Sequence, residues 1–560
     1  MVNNSKIEDF SHSLMMKMKQ YLNDIQKDFE RRFSTGPKLI VKYKERGTAE
    51  KFSVSYGGGV VTLEAQSLKA AVFGVEQLNI GVKSGHLGES LGERVSKFPL
   101  RPLWLTSFGR LAELPFGEKL ESICRGVVQL GYNAVCLPCH EDEIEKNEFD
   151  KLEVFHDFGI QVILKLEIDQ SEGECLLDHH FREKVQDFVH SLQQVSCVDY
   201  IFWEGTFTQR EFQQHSEAQD LLLSDMAIRE VRILEEALLE QRSLIYYLPC
   251  EDLLSAQEQA PWFSSFCDDV GKNTIVAFSA VAGDPAFDHQ QPHPFWEIFR
   301  QSLDSLYTPL LPIVNIGAVK QGECLWPTLS LDLINRYLLP CNRHHFLGVL
   351  SLTPSLPKAT SFLSCNLWVA SQILWGQSQP ERLVETWFAA YRPELNRSGF
   401  VETLKEIRQV ALGISFLRYS SNEGELSKEE CRAQAESLLA QLRRLQIVIE
   451  NSETTRNQED DKLTFKEYFT FFARDARRII LHFLQCNHVS VANVLNGEDM
   501  LESFWTAVNQ PSGGGILAGV KPTLFEEPNK GEEGSAMRKI YEETTLNGYV
   551  ETQRHRDAKG

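Results

Sequence analysis

The chain is 560 residues long, with 42% hydrophobic and 24% charged residues, the proportions of a folded protein rather than a disordered one. That length exceeds the span of one hydrophobic core, so several domains are expected. A formal net charge of −21 argues against nucleic acid or an anionic membrane as partner, and the basic runs are short, as at Arg443-Arg444 and Arg477-Arg478.

The opening residues, Met1 to Lys6, lead into a charged amphipathic segment rather than the apolar core of a signal peptide, and no apolar run is long enough to span a bilayer. A cytoplasmic protein is expected. The twelve cysteines are scattered, with Cys136, Cys197, Cys365 and Cys486 set in apolar segments, and they read as free buried thiols.

In chain order, residues 5–32 predict an amphipathic helix with Phe10, Leu14, Met18, Tyr21, Ile25 and Phe29 recurring at three to four. Strands follow at Lys38–Lys42, Lys51–Tyr56 and Val60–Glu64, the last two joined by a glycine triplet, Gly57 to Gly59, that tolerates positive φ. Ser67 then caps a helix over Leu68–Ile80. Together these make an α+β domain over residues 1–97.

From residue 98 to 378 the pattern alternates. Short apolar strands at Leu103–Phe108, Ala134–Leu137, Val162–Glu167, Asp199–Trp203, Ser243–Leu248, Thr274–Ala280, Leu310–Ile316 and Phe346–Leu352 are each followed by a helix-like stretch. This predicts an α/β chain whose centre is a closed (β/α)8 TIM barrel. Residues 379–510 read as a helical bundle: Pro380 opens one helix, and the capping boxes Ser427/Glu430 and Thr464/Glu467 open two more. From about 511 to 560 apolar periodicity ends, and a disordered tail is expected.

Such barrels place their chemistry in the loops after the strands, which makes a census of acids there informative. Glu113 lies in the first loop, Glu141 to Glu143 in the second, and Glu167 and Asp169 end the third strand. Glu204 follows the fourth, Glu251 and Asp252 the fifth, Asp284 and Asp288 the sixth, and Glu323 the seventh. Glu204 stands out because the run before it is apolar: a carboxylate emerging against Trp203 and Gly205 in a partly desolvated setting suits a general acid. The bland reading is a rim salt bridge. Asp284 and Glu323, across the barrel axis, are the candidate bases. Arg110, His140, Trp203, Asn315, Lys320 and Trp326 supply the aromatic faces and hydrogen-bonding groups that bind sugar rings. Carboxylate acid/base hydrolysis needs no metal or cofactor. The string Cys136-Leu-Pro-Cys139-His140 matches a haem-attachment pattern but reads as structural thiols, and no further ligands at zinc spacing accompany it.

The segment Val60-Val-Thr-Leu-Glu-Ala-Gln-Ser67, followed by Ala70-Ala-Val-Phe-Gly-Val-Glu-Gln-Leu78, resembles the domain that precedes the barrels of β-N-acetylhexosaminidases and α-glucuronidases. Arg101-Pro102 to Arg110 occupies the place of their barrel opening. Asn366 to Trp375 with Pro380 to Trp387 is similar to the last barrel helix and its successor in α-glucuronidases. The likeness runs over roughly residues 38–400. Hexosaminidases of this type carry paired acids after strand four, whereas this chain has Trp203-Glu204-Gly205. The resemblance therefore implies the α-glucuronidase-like arrangement, an acid after strand four and bases after strands six and seven, at Glu204, Asp284 and Glu323. It implies a glycoside hydrolase acting on an oligosaccharide or glycoconjugate. The alternative is a catalytically inactive barrel that binds carbohydrate or protein.

Overall fold

A computed structural model of the chain describes most residues from 4 to 450 and scattered positions from 469 to 480; the longest internal stretch outside it is 281–307. The capping box at Thr464 and Glu467 and the segment 511–560 lie outside the described residues.

The chain opens with the helix Asn4–Arg32 and a four-stranded sheet: β1 (Lys38–Tyr43), β2 (Lys51–Gly57), β3 (Val60–Ala65) and β4 (Gly92–Val95), in the order β1-β3-β2-β4. Gly58 and Gly59, at φ 58° and 76°, make the β2–β3 turn. Ser67 caps the helix Leu68–Lys83, its Oγ accepting from the Ala70 amide at 3.2 Å. β4 has no counterpart in the sequence reading. It is a four-residue edge strand with none of its residues buried, so it lacks the apolar alternation by which strands are recognised.

Eight parallel strands close the barrel: β5 (Pro102–Leu105), β6 (Ala134–His140), β7 (Gln161–Glu167), β8 (Tyr200–Glu204), β9 (Ser243–Tyr247), β10 (Thr274–Ser279), β11 (Leu310–Asn315) and β14 (Leu350–Thr353). Ser351 in register with Leu103 completes the ring. All eight predicted strands are present, with ends moved by a few residues. The reason they were legible is burial on both faces, which leaves β10, β11 and β14 wholly buried and, but for Asn315 at the end of β11, apolar or small. Ala134, Cys136, Ile163, Phe202, Ile245, Ala277, Ile313 and Leu352 fill the interior. Cys139 belongs to the opposite layer, between strands and helices. Cys136 and Cys139 therefore face opposite ways and cannot converge on one haem or ion.

The eighth strand begins at Leu350 rather than Phe346. Before it, Gly348 bridges Leu100, and a Cβ there would stand 1.9 Å from the Leu100 carbonyl oxygen, so only glycine admits this approach. A hairpin, β12 (Val319–Gln321) with β13 (Cys324–Trp326), extends from the loop after β11.

The N-terminal sheet is fastened to the bottom of the barrel. Buried Arg101, just before β5, pairs with Glu50 and donates to the carbonyls of Phe98 (2.6 Å) and Gly131 (2.9 Å). Phe73 stacks on Trp375 at 4.4 Å, and Lys17 pairs with Asp157 at 2.7 Å. All these contacts lie at the strand N-termini or on the helix layer, on the far side from the loops that follow the strands.

The helix Phe362–Leu374 follows the eighth strand and completes the barrel, and after it come helices Pro380–Tyr391, Phe400–Glu423 and Lys428–Glu450. The capping box at Ser427 is present, with the Ser427 amide donating to Glu430 Oε2 at 2.8 Å and the Glu430 amide to Ser427 Oγ at 3.3 Å. Leu438, Leu442, Leu445 and Ile449 are buried along the last of these helices. Leu442→Asp, which puts an unpaired charge into that stripe, is expected to cost about 3 kcal/mol or more. A thermal melt unchanged from the parent chain would contradict this packing.

Candidate active site at the barrel mouth

Side chains alternate along a strand, so Ile163, Lys165 and Glu167 of β7 share a face, as do Tyr200, Phe202 and Glu204 of β8. Ile163 and Phe202 lie in the barrel interior. Lys165 and Glu204 therefore rise from the interior to the mouth, where Lys165 Nζ stands 2.6 Å from Glu167 Oε1 and 3.1 Å from Glu204 Oε2. Below lie Trp104 and Phe202, with ring centroids 5.6 Å apart, and Tyr247, stacked on Phe202 at 6.3 Å; the Lys165 ammonium is 5.7 Å from the Trp104 ring. Burial opposes the charge on Lys165, but Glu204 and Glu167 outweigh it and raise the lysine above its ordinary value.

This arrangement alters the setting expected of Glu204. Its side chain is 50% exposed and faces an ammonium, so the desolvated pocket inferred from the apolar run is not there. The apolar residues before Glu204 are turned to other purposes: Phe202 fills the interior, and Trp203 points out of the barrel.

Trp203 is a correction. It is 4% exposed and its indole donates to Glu230 Oε1 at 2.8 Å, in the helix Leu223–Ala237, so it cannot stack on a ligand at the mouth. Glu230 is wholly buried. It also accepts from the amides of Thr206 (2.9 Å) and Phe207 (3.0 Å), the Thr206 hydroxyl (2.8 Å) and the Tyr246 hydroxyl (2.8 Å). Desolvation raises its carboxyl above the usual range, although these bonds favour the anion. Its place is to hold the loop that follows Glu204.

Arg110 and His140 meet on one side of the mouth. Arg110 pairs with Asp142 at 3.2 Å, and His140 Nε2 lies 3.1 Å from the Gly109 carbonyl. Buried Glu143 accepts from the amides of Ala112 and His140, both at 2.8 Å, tying the first and second loops together. His140 is in register with Glu167. Asn315 ends β11 and is buried at 4% exposure, in register with Leu352. Lys320 and Trp326 fall on the β12–β13 hairpin, and Asp284 and Glu323 lie outside the described residues.

Two residues central to this geometry escaped the sequence reading. Lys165 could have been found, because a lysine inside Gln161-Val-Ile-Leu-Lys-Leu-Glu167 shares the alternation of Ile163 and Glu167. Glu230 carries no such signal. It sits on a helix among other acids, and only the tertiary fold brings donors around it.

Removing Lys165 leaves two carboxylates without their cation. Lys165→Met is expected to destabilise the protein by about 2–3 kcal/mol near neutral pH, discounted because Glu204 is screened by water. Because the folded-state value of Lys165 is raised, its contribution is full below pH of about 10.4 and fades as pH rises through the higher folded value. Denaturant melts of both proteins across pH 7–11 check this (a window set by the ordinary lysine value of about 10.4): their difference should narrow at the alkaline end.

No protein-family model and no curated protein matches the sequence. Among solved structures, the chain is similar to a GH138 enzyme targeting pectin rhamnogalacturonan II, at 9% identity over 88% of this chain and 71% of that one, with a TM-score of 0.47. It is also similar to an O-GlcNAc hydrolase variant from Thermobaculum terrenum, at 12% identity over 73% of this chain and 88% of the other, TM-score 0.40. A third is an N-acetyl-β-hexosaminidase from Streptomyces plicatus, at 11% identity over 63% and 83%, TM-score 0.40. Those figures concern the path of the chain alone. Its own strand pairing identifies it as a (β/α)8 barrel with a sheet-and-helix unit packed beneath.

Proposed function

We propose that the barrel mouth binds a carbohydrate and hydrolyses a glycosidic bond in an oligosaccharide or glycoconjugate. The observation that carries this reading is the Glu167–Lys165–Glu204 group at the C-terminal ends of β7 and β8, above an aromatic layer. Glu204 protonates the leaving oxygen. Asp284 or Glu323 takes a proton from the water that attacks the anomeric carbon. Glu167, held by the same ammonium, is a further acid within reach. Arg110, His140 and Asn315 contact hydroxyl groups, with Lys320 and Trp326 as further sugar-binding residues. The reaction so drawn uses no metal or cofactor. Residues 98–378 form the unit that carries it, 1–97 and 379–510 being its supports, and we place the protein in the cytoplasm. Among the described residues, no helix is long and apolar enough to cross a membrane.

One observation favours a second reading, a barrel that binds sugar without turnover. Lys165 pins Glu204 as the partner of an ion pair, and half of that side chain faces water. A panel of aryl glycosides, with a parallel glycan-binding assay, separates the two. Turnover lost in Glu204→Gln supports hydrolysis; binding by both proteins with no turnover supports the silent barrel.

A further inference from the structure

We propose that Cys175, Asp178 and His215 form a binding site for a divalent transition-metal ion of the zinc class, in the loops that follow β7 and β8. The three ligand atoms lie within 4.8 Å of one another. His215 Nε2 is 3.4 Å from Asp178 Oδ1, and two ligands bound at about 2.0–2.1 Å to a tetrahedral ion stand roughly 3.3–3.4 Å apart. That edge is already formed. Bringing the sulfur to bonding distance needs a movement on the order of 1 Å, within reach of side-chain torsions.

The donor set selects the ion. A thiolate with an imidazole and one carboxylate oxygen suits zinc and its neighbours, whereas calcium and magnesium take oxygen ligands. The carboxylate is also oriented for the purpose. Asp178 Oδ2 accepts from the Cys175 amide at 2.7 Å, leaving Oδ1 turned to His215. Cys175 is 1% exposed, while Asp178 and His215 are 38% and 21% exposed, so the ion would meet protein on the sulfur side and solvent at its fourth position. One contact must yield. The Glu217 amide donates to His215 Nδ1 at 3.3 Å, and coordination through Nε2 moves the ring proton to Nδ1, so this long bond is given up and the amide has to shift towards solvent.

The spacing explains why no pattern of paired cysteines announces the site. Cys175 and Asp178 come from the loop after β7, and His215 from just beyond the helix Arg210–Gln214 after β8. The same two loops meet at a second point, where Gln170 Nε2 donates to Gln209 Oε1 at 3.2 Å. They follow directly on Glu167 and Glu204. An ion here therefore staples the part of the rim that bears both carboxylates, and it does so whether or not the barrel turns over a glycoside.

The test uses the full chain, stripped with a chelator and titrated with cobalt(II) chloride under reducing conditions, then competed with zinc chloride. The expected result is one equivalent of cobalt with a thiolate-to-metal charge-transfer band, displaced by zinc. Cys175→Ser should abolish the band, and His215→Gln and Asp178→Asn should each weaken binding at least tenfold. The metal-free variants must melt as the metal-free parent does. Should Cys175→Ser fail to fold, the two part-exposed positions decide. A parent chain that binds no cobalt, a band that survives in Cys175→Ser, or unchanged affinity in both other variants overturns the site.

Discussion

Replacing Glu230 by alanine is expected to destabilise the protein by about 4 kcal/mol, among the largest single effects available in this chain. The buried carboxylate accepts from the Trp203 indole, the Thr206 and Phe207 amides and two hydroxyls, and alanine strands these donors away from water. Each orphaned donor costs about 1–3 kcal/mol, partly offset because a buried charge is removed as well. Glu230→Gln should fall between, since it keeps one accepting oxygen but turns an NH2 group towards donors. The effect has a pH signature. The folded-state carboxyl is raised above its unfolded value, so the unmodified protein gives up stability as pH climbs from the ordinary glutamate range of about 4.3 through the higher folded value. The alanine variant has no such carboxyl and should lack that slope. Denaturant melts from mildly acidic to neutral pH measure both, and equal slopes would rule out Glu230 as the source. Because the same bonds hold Thr206 and Phe207, the loop after Glu204 should loosen, which amide hydrogen exchange reads directly.

The second large effect concerns Glu204. If it is the proton donor, Glu204→Gln should lower kcat on substrates with poor leaving groups by about 10²–10⁴-fold. Activated aryl glycosides, which need little protonation to depart, should lose much less. The variant removes the ion pair with Lys165 but leaves Glu167 as its partner, so stability should change by less than about 1 kcal/mol and folding should not confound the kinetics. Equal losses on both kinds of substrate would leave Glu204 a binding carboxylate. A well-folded protein inert towards every glycoside would transfer the argument to the silent barrel. Asp284 and Glu323 are separated by the same kinetics: removal of the base should lower kcat on both kinds of substrate, and removal of the other residue should not.

The barrel was written in the sequence because parallel strands buried on both faces are apolar along most of their length, and eight largely apolar runs alternate with amphipathic stretches over 98–378. Local chemistry was equally legible: Ser67 and Ser427 cap the helices they were expected to cap, and the Gly57–Gly59 turn joins β2 to β3. What strand periodicity supplies is the face on which a residue lies, but only when both the strand end and its neighbours are known. Trp203 illustrates the limit. An aromatic beside a rim carboxylate reads as a sugar platform, yet its odd position on β8 turns it into the helix layer, where Glu230 receives it. The partners of Glu204 lie 39 residues back at Lys165 and, through that ammonium, at Glu167. Pairings of this kind depend on which strands become neighbours and in what register, a property of the closed sheet rather than of any segment. The same holds for Cys175, Asp178 and His215, which two separate loops bring together only after β7 and β8 are laid side by side.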